Sequence, residues 1–90
     1  MIKRTRLDII KDILRLIQEN KNAIRPTPLL RKSGLSSSSF KEYYTELLRM
    51  DLIKELNKGG KERKIALTEK GFKFLERYKT IIEFIEEFEL

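Results

Sequence analysis

Cysteine, histidine and tryptophan are all missing from this 90-residue chain. The lack of cysteine excludes disulfides and thiol nucleophiles. With histidine absent as well, the usual zinc ligands and the commonest general base are gone. No G-x-S-x-G elbow, glycine-rich phosphate loop or spaced acidic metal cluster compensates, so no catalysis, cofactor, metal or small-molecule ligand is expected. No run of about 18 apolar residues is present, which argues against a membrane span. The opening "MIKRTRLDII" lacks the apolar core and cleavage site of a secretory leader, and a cytoplasmic chain is expected. Proline occurs twice and glycine four times. There are no internal repeats, low-complexity segments or linkers, and the length suits one domain with a modest core.

What is present in quantity is charge. Charged residues make up 38% of the chain and apolar residues 40%, a globular composition with a heavily charged surface. The net charge of +6 is unevenly spread: residues 83–90, "EFIEEFEL", hold four glutamates and no cation, which leaves +10 on residues 1–82. An excess of that size favours a polyanionic partner, although a positive surface also serves solubility alone.

The hydropathy pattern divides the chain into six elements. In "LDIIKDILRLIQEN", Leu7, Ile9, Ile10, Ile13, Leu14, Leu16 and Ile17 fill one half of a helical wheel, behind Thr5 as N-cap. That half-cylinder is wide enough for two neighbours. A link containing Ala23 and Ile24 leads to "RPTPLLRKSG", a two-turn helix with Thr27 as cap, Pro28 at the first helical position and Gly34 closing it in a left-handed conformation. Ser36 then caps a third helix. Phe40, Tyr43, Tyr44, Leu47, Leu48 and Met50 form its buried side, and Ser37, Ser38, Lys41, Glu42, Thr45 and Arg49 point outward. "LIKEL" and "ERKIAL" read as strands joined by "NKGGK", with Ile53, Ile65 and Leu67 anchoring the hairpin. Thr68 caps a final helix that begins near residue 69, in which Gly71 weakens the first turns by roughly 1 kcal/mol against alanine.

Three helices, a hairpin and a further helix is the order of a winged helix-turn-helix, a mainly α fold with one small β-hairpin. Through "LDIIKDIL", "YYTELLRMDLI" and "IALTEKG", the chain resembles the small archaeal winged-helix DNA-binding proteins of the Sulfolobus ten-a type, from about Leu7 onward. The resemblance implies a homodimer on double-stranded DNA, its long last helices paired as an antiparallel coiled coil. It also divides the chain into a DNA-binding head, residues 1–79, and the end of the dimerisation helix, residues 80–90.

The residues themselves support such an interface. Short hydroxyls at a helix start let backbone amides approach a phosphate, and the helix dipole favours anions there. Ser37, Ser38, Lys41 and Thr45 are therefore the candidates for base-edge and nearby phosphate contacts in the major groove, and Glu42 for accepting from a cytosine amine. Thr27, Lys32 and Ser36 are candidates for fixing the backbone register. Lys58, Lys61, Arg63 and Lys64 make the hairpin basic, fit to grip the backbone or enter the minor groove; charged hairpin tips also serve simply to keep edge strands from pairing. Tyr43 and Tyr44 fall on the apolar side, which favours packing over base stacking. Phe74, Tyr78, Ile81, Ile85 and Phe88 follow the 4-3-4-3 spacing of a coiled-coil seam, widened by Ile82 and Phe84. The competing reading folds this stripe back onto the first helix. A regulator or a nucleoid-associated protein fits these features. The alternative is a winged-helix protein-docking module, whose binding need not weaken steeply with salt as DNA binding does.

Overall fold

The structure, a computed structural model, describes residues 4–58 and 62–90. Its elements run α1 (Arg6–Glu19), α2 (Pro26–Ser33), α3 (Ser37–Arg49), β1 (Ile53–Lys58), β2 (Glu62–Leu67) and α4 (Glu69–Glu87). Of the expected turn at 57–61, Asn57 and Lys58 belong instead to β1, and Gly59, Gly60 and Lys61 lie outside the described residues, as do the side chains of Lys58 and Glu62.

The start of α1 is fixed by a reciprocal capping box. The Thr5 hydroxyl accepts from the Asp8 amide and the Asp8 carboxylate accepts from the Thr5 amide, each at 3.1 Å. The apolar half-cylinder behind it does pack on several elements. Ile10, Ile13, Leu14 and Ile17 are buried, and α1 touches α2, β2 and α4. Leu29, Phe40, Leu47, Leu52, Ile53, Ile65 and Leu67 complete the same core.

The beginning of α2 differs from the sequence expectation. Pro26, not Pro28, takes the first helical position, and the cap position falls on Arg25 rather than Thr27. A proline pushes the residue before it into extended backbone, and Arg25 has φ −77° and ψ 153°. Pro28 is tolerated at the third helical position because first-turn amides have no intrahelical acceptor. Gly34 closes the helix at φ 73°, in the left-handed region as expected.

β1 and β2 pair antiparallel with Ile53 opposite Leu67 and Glu55 opposite Ile65. A third backbone segment joins them. Ile24, between α1 and α2, exchanges two hydrogen bonds with Ile65, at 3.0 and 2.7 Å. Asn22 stands beside it at φ 56°, and its side-chain oxygen accepts from the Leu67 amide at 2.7 Å. The link between α1 and α2 is thus clamped to the hairpin, a contact invisible to periodicity because only one residue makes the bridge.

α4 leaves the hairpin at once. The Thr68 hydroxyl accepts from the Gly71 amide at 3.0 Å and donates to the Asp51 carbonyl at 2.6 Å. Gly71 is buried, and a Cβ there would lie 2.2 Å from the Leu52 carbonyl oxygen. Glycine is therefore the condition for α4 to approach the turn after α3. Further along, the Tyr78 hydroxyl donates to the Asp8 carboxylate at 2.7 Å, so one side chain both caps α1 and ties α4 to it.

Two outcomes follow for stability. Gly71→Ala should lower the unfolding free energy by about 1–3 kcal/mol, the usual cost of overpacking, despite alanine's better helix propensity; denaturant titration reads this, and an unchanged midpoint contradicts the close approach. Asp8 is held below the ordinary 3.8, first by the Tyr78 hydroxyl and then by hydrogen bonds with Thr5. A carboxyl lowered in the folded state stabilises fully above its unfolded value, and that contribution disappears as pH falls through 3.8 and then through the folded value. In Tyr78→Phe the Asp8 titration, followed by NMR, should move up toward the ordinary value and the acid loss of stability should shrink.

Candidate nucleic-acid interface

α3 begins with the cap predicted for it. The Ser36 hydroxyl accepts from the Ser39 amide at 3.2 Å, and the Ser36 carbonyl accepts from the Phe40 amide at 2.9 Å. The amides of Ser37 and Ser38 have no acceptor among the described residues, and they point out of a helix N-terminus with its partial positive charge. Phe40 and Leu47 are buried, with Tyr43, Tyr44 and Leu48 half-buried beside them. Ser36, Ser37, Ser38, Lys41, Glu42, Thr45 and Arg49 are all exposed. Of the cations on this outer face, Lys41 makes no ion pair with a described residue, whereas Arg49 lies 3.6 Å from Glu46.

Both flanks of α3 are fastened by charge. On the α1 side Arg6 pairs with Glu46 and its guanidinium lies 6.0 Å from the centre of the Tyr43 ring. On the hairpin side the Tyr44 hydroxyl donates to Glu55 of β1, and the same Glu55 oxygen lies 3.4 Å from Nε of Arg63 on β2. Burial raises the Tyr44 phenol's pKa well above the ordinary 10.0; the hydrogen bond to Glu55 and the Glu55 charge add to the rise, against a smaller pull from Arg63. Arg6 and Glu55 were not singled out from the sequence. Arg6 was legible only as part of a basic N-terminal run, and Glu55 as an ordinary polar position of a strand.

The hairpin cations among the described residues lie on two faces. Directly opposed residues of an antiparallel pair share a sheet face, so Ile53, Glu55, Asn57, Arg63, Ile65 and Leu67 lie on one side. The buried Ile53, Ile65 and Leu67 mark that side as core-facing, and Arg63 extends it past the core toward α3. Lys64 lies on the opposite face together with Lys54, a cation the sequence reading left out; both are exposed. The side chain of Lys58 and the whole of Lys61 are outside the described residues.

Of the residues assigned to fixing the backbone register, Thr27 is exposed in the first turn of α2, and Lys32 donates to the Asn20 side chain at 3.2 Å at the end of α1. Arg4 donates to the Ser33 carbonyl at 3.2 Å and pairs with Asp12 at 3.1 Å, bracing the end of α2.

The residues assigned to the α4 seam separate into two groups. Phe74 is half-buried against the core and stacks on Tyr78, which is bonded to Asp8. Ile82 is half-buried and lines, with Leu75 and Tyr78, an open groove of about 370 Å³ between α1 and α4. Ile81, Phe84, Ile85 and Phe88 are 53%, 53%, 36% and 57% exposed, and the rings of Phe84 and Phe88 lie against each other with centres 4.8 Å apart. The stripe follows α1 as far as Ile82 on one side, while Ile81, Phe84, Ile85 and Phe88 face away from it.

A recognition-type helix carried behind a short helix and a tight turn, flanked by a hairpin, defines the winged-helix architecture. The chain belongs to the winged helix-turn-helix family, whose model matches residues 3–86. It is similar to Sso10a-2, a DNA-binding protein from Sulfolobus solfataricus, with a TM-score of 0.73 and 19% identity over 94% of this chain and 85% of that one. It is also similar to F-93 of SSV1, with a TM-score of 0.65 and 26% identity over 96% and 99% of the two chains. No curated protein matches the chain. None of the described helices is long and apolar enough to cross a membrane.

Proposed function

We propose that the chain binds double-stranded DNA, with α3 in the major groove and the hairpin on the flanking backbone, as a homodimer joined through the end of α4. The observation that carries this reading is the bare outer face of α3. Ser37, Ser38, Lys41 and Thr45 are exposed together beside two unbonded amides, while the charges on both flanks of the helix are neutralised within the chain. The Ser38 hydroxyl shares one 3.4 Å contact with that of Ser36. An exposed polar surface of this kind, with Lys41 unpaired among the described residues, suits phosphate oxygens and base edges. The +10 on residues 1–82 supports the same partner, as does the likeness to Sso10a-2, which is itself described as DNA-binding.

Short hydroxyls dominate the face, and long bidentate readers are few. This favours phosphate contacts and a modest sequence preference, the behaviour of a nucleoid-associated protein or a regulator that relies partly on DNA shape. Glu42 is the one anion on the face and is placed to reject phosphate or accept from a cytosine amine.

The dimer reading rests on the uncovered α4 stripe. Four large apolar side chains on one exposed helix end form a patch that monomeric proteins seldom leave bare. The charge along α4 supports an antiparallel arrangement: Lys70, Lys73, Arg77 and Lys79 outnumber Glu69 and Glu76 in its first part, and Glu83, Glu86 and Glu87 lie in its last. Antiparallel pairing sets unlike charges side by side.

Ser38→Ala combined with Lys41→Ala should leave the circular dichroism spectrum intact and weaken binding to duplex DNA roughly ten-fold or more, as expected for losing charge-assisted contacts. Wild-type affinity should fall steeply between about 50 and 200 mM salt. Binding that ignores both the substitutions and the salt favours a protein-docking module instead. Ile81→Glu with Ile85→Glu should convert a dimer to a monomer by light scattering; a wild-type chain that is already monomeric at high concentration contradicts the pairing.

A further inference from the structure

Glu55 stands where an anion is least expected on a surface meant for DNA. It lies on the hairpin face turned toward α3, and one of its carboxylate oxygens meets two donors, the Tyr44 hydroxyl and Nε of Arg63. Arg63 is the described hairpin cation on that side of the sheet. Its side chain is 53% exposed and that of Glu55 is 33% exposed, so the pair is within reach of an incoming backbone. The 3.4 Å contact is longer than the roughly 2.7–2.9 Å of a firm charge-assisted bond, and it is made through Nε, with no hydrogen bond to the terminal nitrogens of the guanidinium from the described residues.

We infer that Glu55 serves as an internal substitute for a DNA phosphate: it holds Arg63 in the free protein, yields it to the backbone on binding, and thereby tempers the affinity of the interface. The inference rests on the DNA-binding reading above. Three features favour a hand-over. The acceptor is anchored through Tyr44 to the recognition helix, so it stays in place when Arg63 departs. The Tyr44 hydroxyl continues to satisfy the carboxylate afterwards, which limits the cost of leaving it behind. The grip on Arg63 is loose enough for a phosphate to compete. The contrast lies on the other flank, where Glu46 is shared by Arg6 and Arg49 and no single cation is released cleanly. Glu55 is a positioning residue in this account, since it acts on DNA only through Arg63.

The test is a double-mutant cycle on duplex DNA at low salt, with wild type, Glu55→Gln, Arg63→Ala and the double variant. Glutamine keeps an acceptor for Tyr44 and removes the charge. Glu55→Gln should tighten binding about two- to five-fold, the range for releasing a partly exposed ion pair, and should tighten it markedly less when Arg63 is already alanine. The same gain in both backgrounds means that Glu55 acts only as a nearby like charge to the phosphates, and the inference falls. A loss of affinity in Glu55→Gln means that Glu55 aims Arg63 rather than withholding it, and overturns the inference equally. A DNA-free readout accompanies the cycle: in Glu55→Gln the Tyr44 phenol should titrate at lower pH than in wild type, and an unmoved titration shows that the carboxylate is not seated there. If wild type ignores duplex DNA, the parent reading fails as well; if it binds but the cycle closes to zero coupling, only this inference does.

Discussion

The apolar half-cylinder of α1 is the constraint on which the other elements depend. Ile10, Ile13, Leu14 and Ile17 lie at helical spacing, and each fully buried aliphatic side chain contributes about 1.5–3 kcal/mol. α1 touches α2, β2 and α4, and β2 in turn touches α2 and α4. Because α2 is held there, the tight turn at Gly34 delivers α3 in one orientation. Because β2 is held there, the hairpin stands beside α3 rather than swinging free, and the Ile24 bridge to Ile65 locks that placement. Without α1, α2 and α4 keep their smaller contacts with β2, and the core loses Ile10, Ile13, Leu14 and Ile17.

Charge is distributed on this scaffold in a consistent way. Three acidic side chains fall where two elements are joined: Asp8 between α1 and α4, Glu46 between α1 and α3, Glu55 between α3 and the hairpin. Exposed ion pairs of this kind add little to stability. Their effect is to neutralise the flanks of α3 while its centre keeps the hydroxyls, the free first-turn amides and Lys41. The acidic side chains Glu83, Glu86, Glu87 and Glu89 are gathered at and just beyond the end of α4.

Much of this was legible in the sequence where local chemistry decides the outcome. Thr5, Ser36 and Thr68 cap as their side-chain oxygens allow, Gly34 closes α2, and the inward residues of α1 and α3 follow from period alone. The start of α2 was misplaced because two prolines two residues apart both satisfy the first-turn rule, and only the backbone shows that Pro26 takes the position. Ile24 was not legible as a strand because a one-residue bridge has no period. Gly71 read as a mild helix defect, since its close approach to Leu52 is tertiary. Arg63 and Lys64 read as one basic wing, although alternation along a strand sets them on opposite faces; that Glu55 and Tyr44 meet Arg63 needed the hairpin register and the distance to α3 together.

The central claim, that the bare face of α3 is the surface that meets DNA, is tested most directly by mapping amide chemical shifts during titration with a short duplex. The account predicts that the largest changes fall on Ser37, Ser38, Lys41 and Thr45, with a second set on the hairpin around Arg63 and little change at the α1–α4 groove. Shifts concentrated on α1 or on the end of α4, with those α3 amides unmoved at saturation, contradict it.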